Sequence, residues 1–396
     1  MNIPMSSPDL TDAEIGAVNR VLQTPHLSIG SQIEAFERAF ASYLGVAHAV
    51  GVSSGTAALH LAVIAAGVGE GDLVITTPFS FIASANCILY ERGTPIFVDI
   101  DPQTLNVDPE LLTAAADDLL RGGDAAKRWL PPAFRQSQPG THQLKAVLPV
   151  DAFGQPADMD RIVGVARKHG LTVIEDACEA IGAEYKGRKA GTLGDVGTFA
   201  FYPNKQMTTG EGGMIFTNRD DWDALFRSLR NQGRDIFDAW LNHSRLGYNY
   251  RLDEMSAALG LAQLGRIEEL LTKRERVAQM YNERLGRLAG VSVPHIAATT
   301  SRSSWFVYVV RLAAGIDRNQ VMADLQERGI PSRPYFSCIH LQPFYRRLYG
   351  FKPGDFEVAE RAANSTLALP FHGKMSEAEV AHVCDALSSI IERQLQ

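Results

Sequence analysis

The stretch FAFYPNKQMTTGEGGM, residues 199–214, begins like a buried strand and ends as a glycine-rich turn. Its first residues are apolar and aromatic, as in a strand that is covered on both faces. A lysine, Lys205, follows just past the predicted strand end, and two threonines and three glycines come after it. A long charged side chain at a strand end is typical of a ligand site at the edge of a parallel sheet. The glycines beside it leave backbone that other groups can approach closely.

Strand and helix patterns alternate around this stretch through the first two-thirds of the chain. The short β-rich runs are DLVITTPF, TPIFVDID, LKAVLPVDAF, LTVIEDAC, VGTFAFY and GGMIFTN. Amphipathic runs such as SQIEAFERAFASYLG and PADMDRIVGVARKHG separate some of these strands. The alternation predicts an α/β fold with a mostly parallel sheet that helices cover on both faces.

The pattern changes after this region. Residues 251–288 predict one long amphipathic helix, rich in charged residues. We therefore expect a large domain over residues 1–255, and a linking helix with a smaller α+β domain over residues 256–396. Residues 115–142 have mixed charge, paired prolines and no clear period in their second half, which favours a surface insertion between two strands.

The composition excludes several classes of function. The chain has 396 residues, of which 45% are hydrophobic and 21% charged, and a net charge of −7 with scattered Lys and Arg argues against nucleic acid or an anionic membrane as partner. No apolar stretch reaches the length of a membrane span, and the N-terminus lacks the pattern of a signal peptide. The four cysteines lie outside any CxxC and the ten histidines form no HxxxH pair, so we expect a cytoplasmic protein with reduced thiols and no metal site.

One candidate anion site lies in VSSGTAALHLA, residues 52–62. Ser54 and Gly55 precede a strongly helical run that begins near Thr56. The free backbone N–H groups and the positive dipole end of such a helix start bind anions. Taken alone, this segment is better explained as a simple helix N-cap.

Two further segments place charged groups at predicted strand ends. In LTVIEDAC, one carboxylate of Glu175 and Asp176 could hold a cationic ring nitrogen, although a surface acidic pair or a helix cap explains both equally well. Lys205 could form a Schiff base with a carbonyl group, although most lysines are surface residues. Together the three segments supply a phosphate site, a partner for a pyridine nitrogen and an amine, which are the groups needed to hold pyridoxal phosphate.

The run EDACEAIGAEYKGRKAGTLGDVGTFAFYPNKQMTTGEGGMIFTN strongly resembles the DegT/DnrJ/EryC1/StrS family of pyridoxal-phosphate-dependent sugar aminotransferases. The resemblance extends from LSIGSQIEAFERAFASYLGVAHAVGVSSGTAALHLA through GYNYRLDEMSAAL to RPYFSCIHLQPFY and LALPFHGKMSEAEV. It implies an aspartate-aminotransferase-like fold of PLP fold type I. It also implies a cytoplasmic homodimer that moves an amino group, from L-glutamate, onto a keto group of a nucleotide-linked sugar for amino-sugar and polysaccharide biosynthesis.

Two alternatives remain beside this function. One is an aminotransferase that acts on a keto-cyclitol. The other is a non-catalytic regulator that binds the cofactor without turnover. Intact Lys205 and Asp176 argue against the regulator, because a regulator needs neither the amine nor the carboxylate for catalysis.

The resemblance implies roles for individual residues of the cofactor site. Lys205 corresponds to the Schiff-base lysine, and Asp176 corresponds to the partner of the protonated pyridine nitrogen. Phe81 matches an aromatic residue that stacks on the cofactor ring, although core packing also explains an aromatic residue in an apolar run. The phosphate-binding turn corresponds to Ser54, Gly55 and Thr56.

Other implied roles concern the partner subunit and the substrates. Asn249 in GYNYR matches an asparagine that reaches the cofactor phosphate of the neighbouring subunit, which implies a shared, dimeric site. His340 in CIHLQPFY matches a histidine near the sugar-nucleotide pocket. Arg234, Arg251 and Arg333 are candidates for binding the carboxylate of the amino donor, and each is equally well explained as a surface salt-bridge residue.

Two residues depart from the family pattern. Ala200 stands where many members have a serine that contacts the phosphate, so a backbone group or a water must replace one hydroxyl. Glu179 stands where many members have glutamine or histidine near the cofactor's phenolic oxygen. A carboxylate there repels a phenolate unless one of the two is protonated or Glu179 points elsewhere. Relatives that catalyse dehydration replace the lysine with histidine, so Lys205 argues against that activity.

Overall fold

A computed structural model describes residues 3–136, 143–235 and 242–396 of the chain. The α-helices are α1 (Asp12–Leu22), α2 (Ser31–Leu44), α3 (Gly55–Ala65), α4 (Ala83–Tyr90), α5 (Pro109–Arg121), α6 (Gly123–Lys127), α7 (Met159–His169), α8 (Asp220–Arg230), α9 (Glu254–Leu264), α10 (Ile267–Leu285), α11 (Arg318–Glu327), α12 (Pro343–Tyr349), α13 (Glu357–Ser365) and α14 (Glu377–Leu395). The strands are β1 (His48–Val52), β2 (Asp72–Thr76), β3 (Thr94–Phe97), β4 (Gln143–Val147), β5 (Thr172–Asp176), β6 (Glu184–Tyr185), β7 (Arg188–Lys189), β8 (Val196–Ala200), β9 (Gly213–Thr217), β10 (Val291–Ser292), β11 (Thr300–Arg302), β12 (Tyr308–Leu312) and β13 (Thr366–Leu369).

The central sheet has seven strands in the order β1–β9–β8–β5–β4–β2–β3. Strands β8, β5, β4, β2 and β3 pair in parallel, whereas β9 is antiparallel to both of its neighbours, β1 and β8. Each β-rich run quoted from the sequence forms one of these strands. The predicted α/β fold with a mostly parallel sheet is therefore confirmed.

Helix α3 is buried along nearly its whole length because its sequence is apolar on every side. It packs against the sheet and against helices α4 and α8. The Ser54 hydroxyl caps this helix and accepts a hydrogen bond from the backbone N–H of Ala57 at 3.1 Å. The start of α3 is thereby fixed at one edge of the central sheet.

The register of β1, β9 and β8 brings two distant turns to that same edge. Gly213, the first residue of β9, lies opposite Val52 at the end of β1 and opposite Ala200 at the end of β8. A Cβ atom on Gly213 would lie 2.4 Å from the carbonyl oxygen of Ser54, so only glycine permits this approach. The residues that follow β1 and β8 consequently meet.

The single long helix predicted over residues 251–288 is wrong, because α9 and α10 are separate helices. Gly265, a poor helix former, ends α9, and Arg266 before α10 has φ −113° and ψ 10°. The Arg266 guanidinium binds Asp9 at 3.2 Å and Glu14 at 2.8 Å. These ion pairs tie the bend to the N-terminal segment of the chain.

The C-terminal third forms a second sheet, β10–β12–β13, which packs against α10, α11 and α14. Ile3, from the N-terminal segment, is buried in the same core. Conversely, Phe336 and Cys338 of the C-terminal third pack with Phe79 of the N-terminal part, next to the central sheet. Core contacts therefore cross the predicted boundary between residues 255 and 256 both ways, and the boundary itself stays a prediction.

The segment predicted as a surface insertion, residues 115–142, begins inside helix α5. Ala115 and Ala116 are buried with residues of β2 and β4, because α5 is the helix that connects β3 to β4 across one face of the sheet. The first residues of the segment thus belong to the core. Residues 137–142 lie outside the described residues.

Candidate active site

A cavity of about 630 Å³ lies at the carboxyl ends of the parallel strands, where ligands bind in open α/β sheets. Its wall contains residues that follow β1, β2, β5 and β8. Most of the residues predicted for the cofactor site line it, namely Ser54, Gly55, Thr56, Phe81, Asp176, Glu179 and Lys205. The fold thus gathers groups that lie as far as 150 residues apart in the sequence.

The start of α3 forms one end of the cavity. The N–H groups of the first helical residues, Gly55 and Thr56, have no partner within the helix. A Cβ atom on Gly55 would lie 2.6 Å from the Cβ of Ala200 and 3.1 Å from the Sγ of Cys178. Glycine and the small side chain of Ala200 therefore let the strand and the helix start pack closely, and N–H groups without a partner in the helix suit a phosphate.

Asp176, the last residue of β5, is buried at the cavity wall. Its Oδ2 accepts a hydrogen bond from the hydroxyl of Ser84 at 2.7 Å, and its Oδ1 accepts one from the backbone N–H of Cys178 at 3.2 Å. The Ser84 hydroxyl lies 2.9 Å from that of Ser80. Both of these donors are neutral, so a cationic ligand group in the cavity can supply the charge-assisted hydrogen bond that they do not. Sequence reasoning missed Ser84, since nothing near it in the chain indicates a carboxylate partner.

Lys205 lies in the loop after β8, and only 11% of its side chain is exposed. Its Nζ lies 3.8 Å from Oε1 of Glu179 and 3.8 Å from the ring centroid of Phe306. This burial excludes a plain surface lysine. Neither contact is a hydrogen bond, so the amine can react with a carbonyl group without first breaking one.

Glu179 is held beside Lys205 by contacts on both its carboxyl group and its backbone. Its Oε2 accepts a hydrogen bond from the backbone N–H of Phe153 at 2.9 Å. Burial raises the pKa of Glu179, and the positive charge of Lys205 only partly opposes this effect. The side-chain amide of Gln206 donates to the Glu179 carbonyl at 2.6 Å and lies 2.8 Å from the hydroxyl of Ser304. Sequence reasoning missed Gln206, because its partners are distant in the chain.

Aromatic side chains form much of the remaining wall. Phe81 is 62% exposed and lines the cavity, so core packing does not explain it. Tyr202, Phe306 and Tyr335 line the cavity as well. These three were missed because aromatic residues in or beside apolar runs usually pack in a core.

His340, predicted to lie near the substrate, does not line the cavity. It is fully buried, and its Nε2 lies 3.0 Å from Oε1 of Glu360. The rings of Phe351 and Phe356 pack against its imidazole, and burial lowers the pKa of His340. Its neighbours are those of a packed core residue, and its place near the substrate stays a prediction.

The other predicted residues lie around the cavity rather than in its wall. Arg333 is exposed and directly precedes Pro334 and Tyr335, which line the cavity. Asn249 is exposed and does not line the cavity of its own chain. The remaining arginine candidates line a different cavity, of about 640 Å³, beside α2 and α8: Arg234 and Arg251.

Two absences hold for the described ranges. No group of three or more His, Cys, Asp and Glu residues there is arranged to hold a metal ion. None of the helices described combines the length and the apolar character that a membrane crossing requires.

The chain matches the family model of the DegT/DnrJ/EryC1/StrS aminotransferases over residues 8–388. It is 42% identical to the GDP-perosamine synthase of Caulobacter vibrioides, with 98% of each chain covered. It is 34% identical to the GDP-perosamine synthase of Escherichia coli O157:H7, again with 98% of each chain covered. Among solved structures it is similar to a putative sugar aminotransferase from Streptococcus pneumoniae in its PLP form, with a TM-score of 0.88, 26% identity and 100% of both chains covered.

Proposed function

The chain belongs to the DegT/DnrJ/EryC1/StrS aminotransferase family and is a pyridoxal-phosphate-dependent sugar aminotransferase; from this premise we propose that it transfers an amino group from L-glutamate to a keto group of a nucleotide-linked sugar. One observation carries the proposal: Asp176, Lys205 and the start of α3 border a single cavity with an aromatic wall. Two relatives named GDP-perosamine synthase, each matched over 98% of both chains, favour a GDP-linked acceptor.

The start of α3 and Asp176 are proposed to hold the two ends of the cofactor. The N–H groups of Gly55 and Thr56 receive the phosphate, and the Asp176 carboxylate keeps the ring nitrogen protonated. Phe81, exposed in the cavity, stacks on the ring. When bound, pyridoxal phosphate supplies a carbonyl for amine exchange and a protonated ring that accepts an electron pair.

Lys205 is proposed to bind the cofactor covalently and then to move a proton at its Nζ. The amine lies between Glu179 and the ring of Phe306, without a hydrogen bond that would hold it there. Glu179, whose pKa burial raises, is proposed to carry a proton next to the cofactor's phenolic oxygen. A protonated Glu179 removes the repulsion that a carboxylate at this position would exert.

Spectroscopy of the amine exchange tests the donor and the acceptor separately. L-glutamate should abolish the visible absorbance of the loaded protein, because amine exchange would free the Lys205 amine and leave the cofactor in its amine form. GDP-perosamine with 2-oxoglutarate should then yield L-glutamate by the reverse reaction, whereas perosamine without a nucleotide should not. A response to another amino acid only would refute the donor, and a response to an amino-cyclitol but to no nucleotide-linked amino sugar would refute the acceptor.

Borohydride reduction tests the role of Lys205. The cofactor mass should be fixed on the peptide that contains Lys205, and Lys205→Ala should abolish multiple turnover. A label on a different lysine would remove the assignment.

We also propose that two subunits share each site, with Asn249 of one chain contacting the cofactor phosphate held by the other. The exposed Asn249, outside the cavity of its own chain, supports this arrangement. An amide acts only within hydrogen-bond distance, so the contact requires a close dimer. Mixed dimers of Lys205→Ala and Asn249→Ala chains should regain activity, since one of their two sites has both residues intact. Activity equal to the sum of the separate variants, in verified mixed dimers, would mean that each chain builds its own site.

A further inference from the structure

Arg274, on helix α10, is a buried cation near the active site. Only 5% of Arg274 is exposed. Burial lowers the pKa of its guanidinium to about 10, and no charged group in the described part of the chain opposes that effect. It therefore remains protonated at neutral pH. A charge buried in this way persists only where hydrogen bonds compensate for the lost water.

Backbone carbonyls from two separate segments provide that compensation. The Nη2 of Arg274 donates to the carbonyl of Lys205 at 2.6 Å and to that of Asn204 at 3.2 Å. Its Nη1 donates to the carbonyls of Trp305 at 3.1 Å and Phe306 at 3.3 Å. One planar guanidinium thus bridges the loop after β8 and the segment before β12.

The two bridged segments carry the groups that meet in the cavity. The first carries the Lys205 side chain, and the second carries the Phe306 ring, which lies 3.8 Å from Lys205 Nζ. On the next residue of α10, the Glu275 carboxylate accepts a hydrogen bond from the indole N–H of Trp305 at 2.8 Å. Helix α10 therefore fixes both the backbone of the lysine and the surface against which its amine lies.

We propose that Arg274 is a positioning residue for Lys205, holding the lysine loop and Phe306 at a fixed separation so that Nζ stays aimed at the cofactor. This inference rests on the proposed role of Lys205. A shift of about 1 Å in a reacting group is enough to slow a reaction by about 100-fold. Loss of the bridge should therefore affect the reaction of the amine more than the binding of substrates.

The chain offers a matched control on the same helix. Arg276 is exposed, and its guanidinium donates to the carbonyls of Gly373 at 3.4 Å and Met375 at 2.9 Å, neither of which lines the cavity. Arg276→Gln removes an arginine that also binds two carbonyls, but outside the site. It should leave every measurement below unchanged.

The first measurement mixes the cofactor-free protein with pyridoxal phosphate and follows covalent attachment by absorbance. Arg274→Gln should slow attachment at least tenfold and reduce the share of borohydride label on Lys205. In the loaded protein, kcat should fall by at least tenfold while KM for L-glutamate stays within about twofold. Arg274→Lys, which keeps the charge but loses the planar fork, should be intermediate in both rates.

Chemical rescue separates positioning from folding. In Arg274→Ala, millimolar guanidinium should restore the attachment rate and the labelling of Lys205, whereas equal concentrations of urea or sodium chloride should not. Urea has a similar shape without the charge, and sodium chloride controls for ionic strength.

Three outcomes would overturn the proposal. The first is an Arg274→Gln protein that melts at a lower temperature but keeps the wild-type rate of cofactor attachment and the wild-type kcat per loaded site. That result would make Arg274 a structural residue only. The second is an Arg274→Lys protein equal to wild type, which would show that the bridge is not needed. The third is rescue by urea as effective as rescue by guanidinium. If borohydride labels another lysine in the wild-type protein, that result would refute the proposed role of Lys205 and not the role of Arg274.

Discussion

The two adjacent acids at the end of β5, Glu175 and Asp176, occupy opposite environments. Glu175 is fully buried on what we call the loop face, where it accepts backbone hydrogen bonds at 2.7, 2.7 and 3.2 Å from Gly191, Leu193 and Gly194. Asp176 lies on the opposite, cavity face. Successive side chains of a strand point to opposite faces. Two neighbouring carboxylates of the same chemistry therefore serve different purposes, one fixing a loop and the other remaining available to a ligand.

A second acid supports the loop face. Asp151 is fully buried, and its Oδ1 accepts a hydrogen bond from the backbone N–H of Ala157 at 2.9 Å. Burial, together with the charge of Glu175, raises the pKa of Asp151 well above its usual range. Its Oδ2 has no hydrogen-bond partner among the described residues. The loop face thus holds two buried acids whose pKa values burial raises, whereas the cavity face holds an acid that accepts hydrogen bonds from two neutral donors.

The largest expected effect on the cavity face is that of Asp176→Asn. A neutral amide no longer holds the ring nitrogen protonated, so kcat should fall by about 100-fold or more, while part of the cofactor remains bound. The melting temperature should change little, because an asparagine carbonyl can still accept the hydrogen bond from Ser84. Steady-state kinetics per loaded site would test this, and a rate near that of wild type would end the assigned role of Asp176.

On the loop face, Glu175→Gln should lower stability and leave turnover nearly unchanged, which is the opposite of the effect expected for Asp176→Asn. The single amide oxygen cannot accept three backbone N–H groups, so the free energy of unfolding should fall by about 3 kcal/mol. Turnover per folded, loaded site should stay near wild type. Urea denaturation and kinetics on the same preparation provide the comparison. A loss of kcat without a loss of stability would show that the two faces are not separate.

The pH dependence of stability should reveal the raised pKa of Asp151. Its pKa is raised in the folded protein, so the folded state keeps a proton that the unfolded chain releases as the pH rises past the ordinary pKa of aspartate. Wild-type stability should therefore fall with rising pH, by about 1.4 kcal/mol per pH unit for this one proton, until the pH reaches the folded pKa. In Asp151→Asn this contribution is lost and the decline should become shallower, while the raised pKa of Glu179 continues to contribute in both proteins. Urea unfolding midpoints at pH 5 and pH 8 measure the loss of stability in each protein. An equal loss in wild type and in Asp151→Asn would show that the raised pKa of Asp151 does not cause it.

The smallest effect should come from Ser84→Ala, which removes one donor from Asp176 without changing its charge. Loss of one hydrogen bond to a charged group, in a site that keeps its other donor, should lower kcat by roughly fivefold, equivalent to about 1 kcal/mol. Ser80→Ala is the matched control, since Ser80 contacts Ser84 and makes no direct hydrogen bond to Asp176. If both variants slow the reaction equally, the contact from Ser84 to Asp176 has no special part in it.

Sequence patterns predicted elements better than they predicted boundaries and partners. The β-rich runs and the helix that ends at Gly45 followed local periodicity and turn chemistry, which are encoded within about ten residues. The break at Gly265 was missed because the apolar pattern continues on both sides of it. The first half of residues 115–142 was assigned to the surface because the segment has mixed charge and paired prolines, whereas the alanines on one face of α5 are buried.

The sequence by itself determined that a helix start, an acid and a lysine lie at or just after the ends of strands, and hence that they meet at one edge of a parallel sheet. The strand pattern alone did not determine which of Glu175 and Asp176 faces the cavity, since alternation separates two side chains without saying which face the cavity occupies; the family resemblance is what indicated Asp176, and Asp176 lines the cavity. Only the tertiary structure decided that Ser84 donates to Asp176 and that Arg274 donates to the backbone carbonyl of Lys205. These partners are 92 and 69 residues apart in the chain. The physical reason is that local periodicity fixes where strands and helices form, whereas contacts over such separations depend on strand order, register and helix packing.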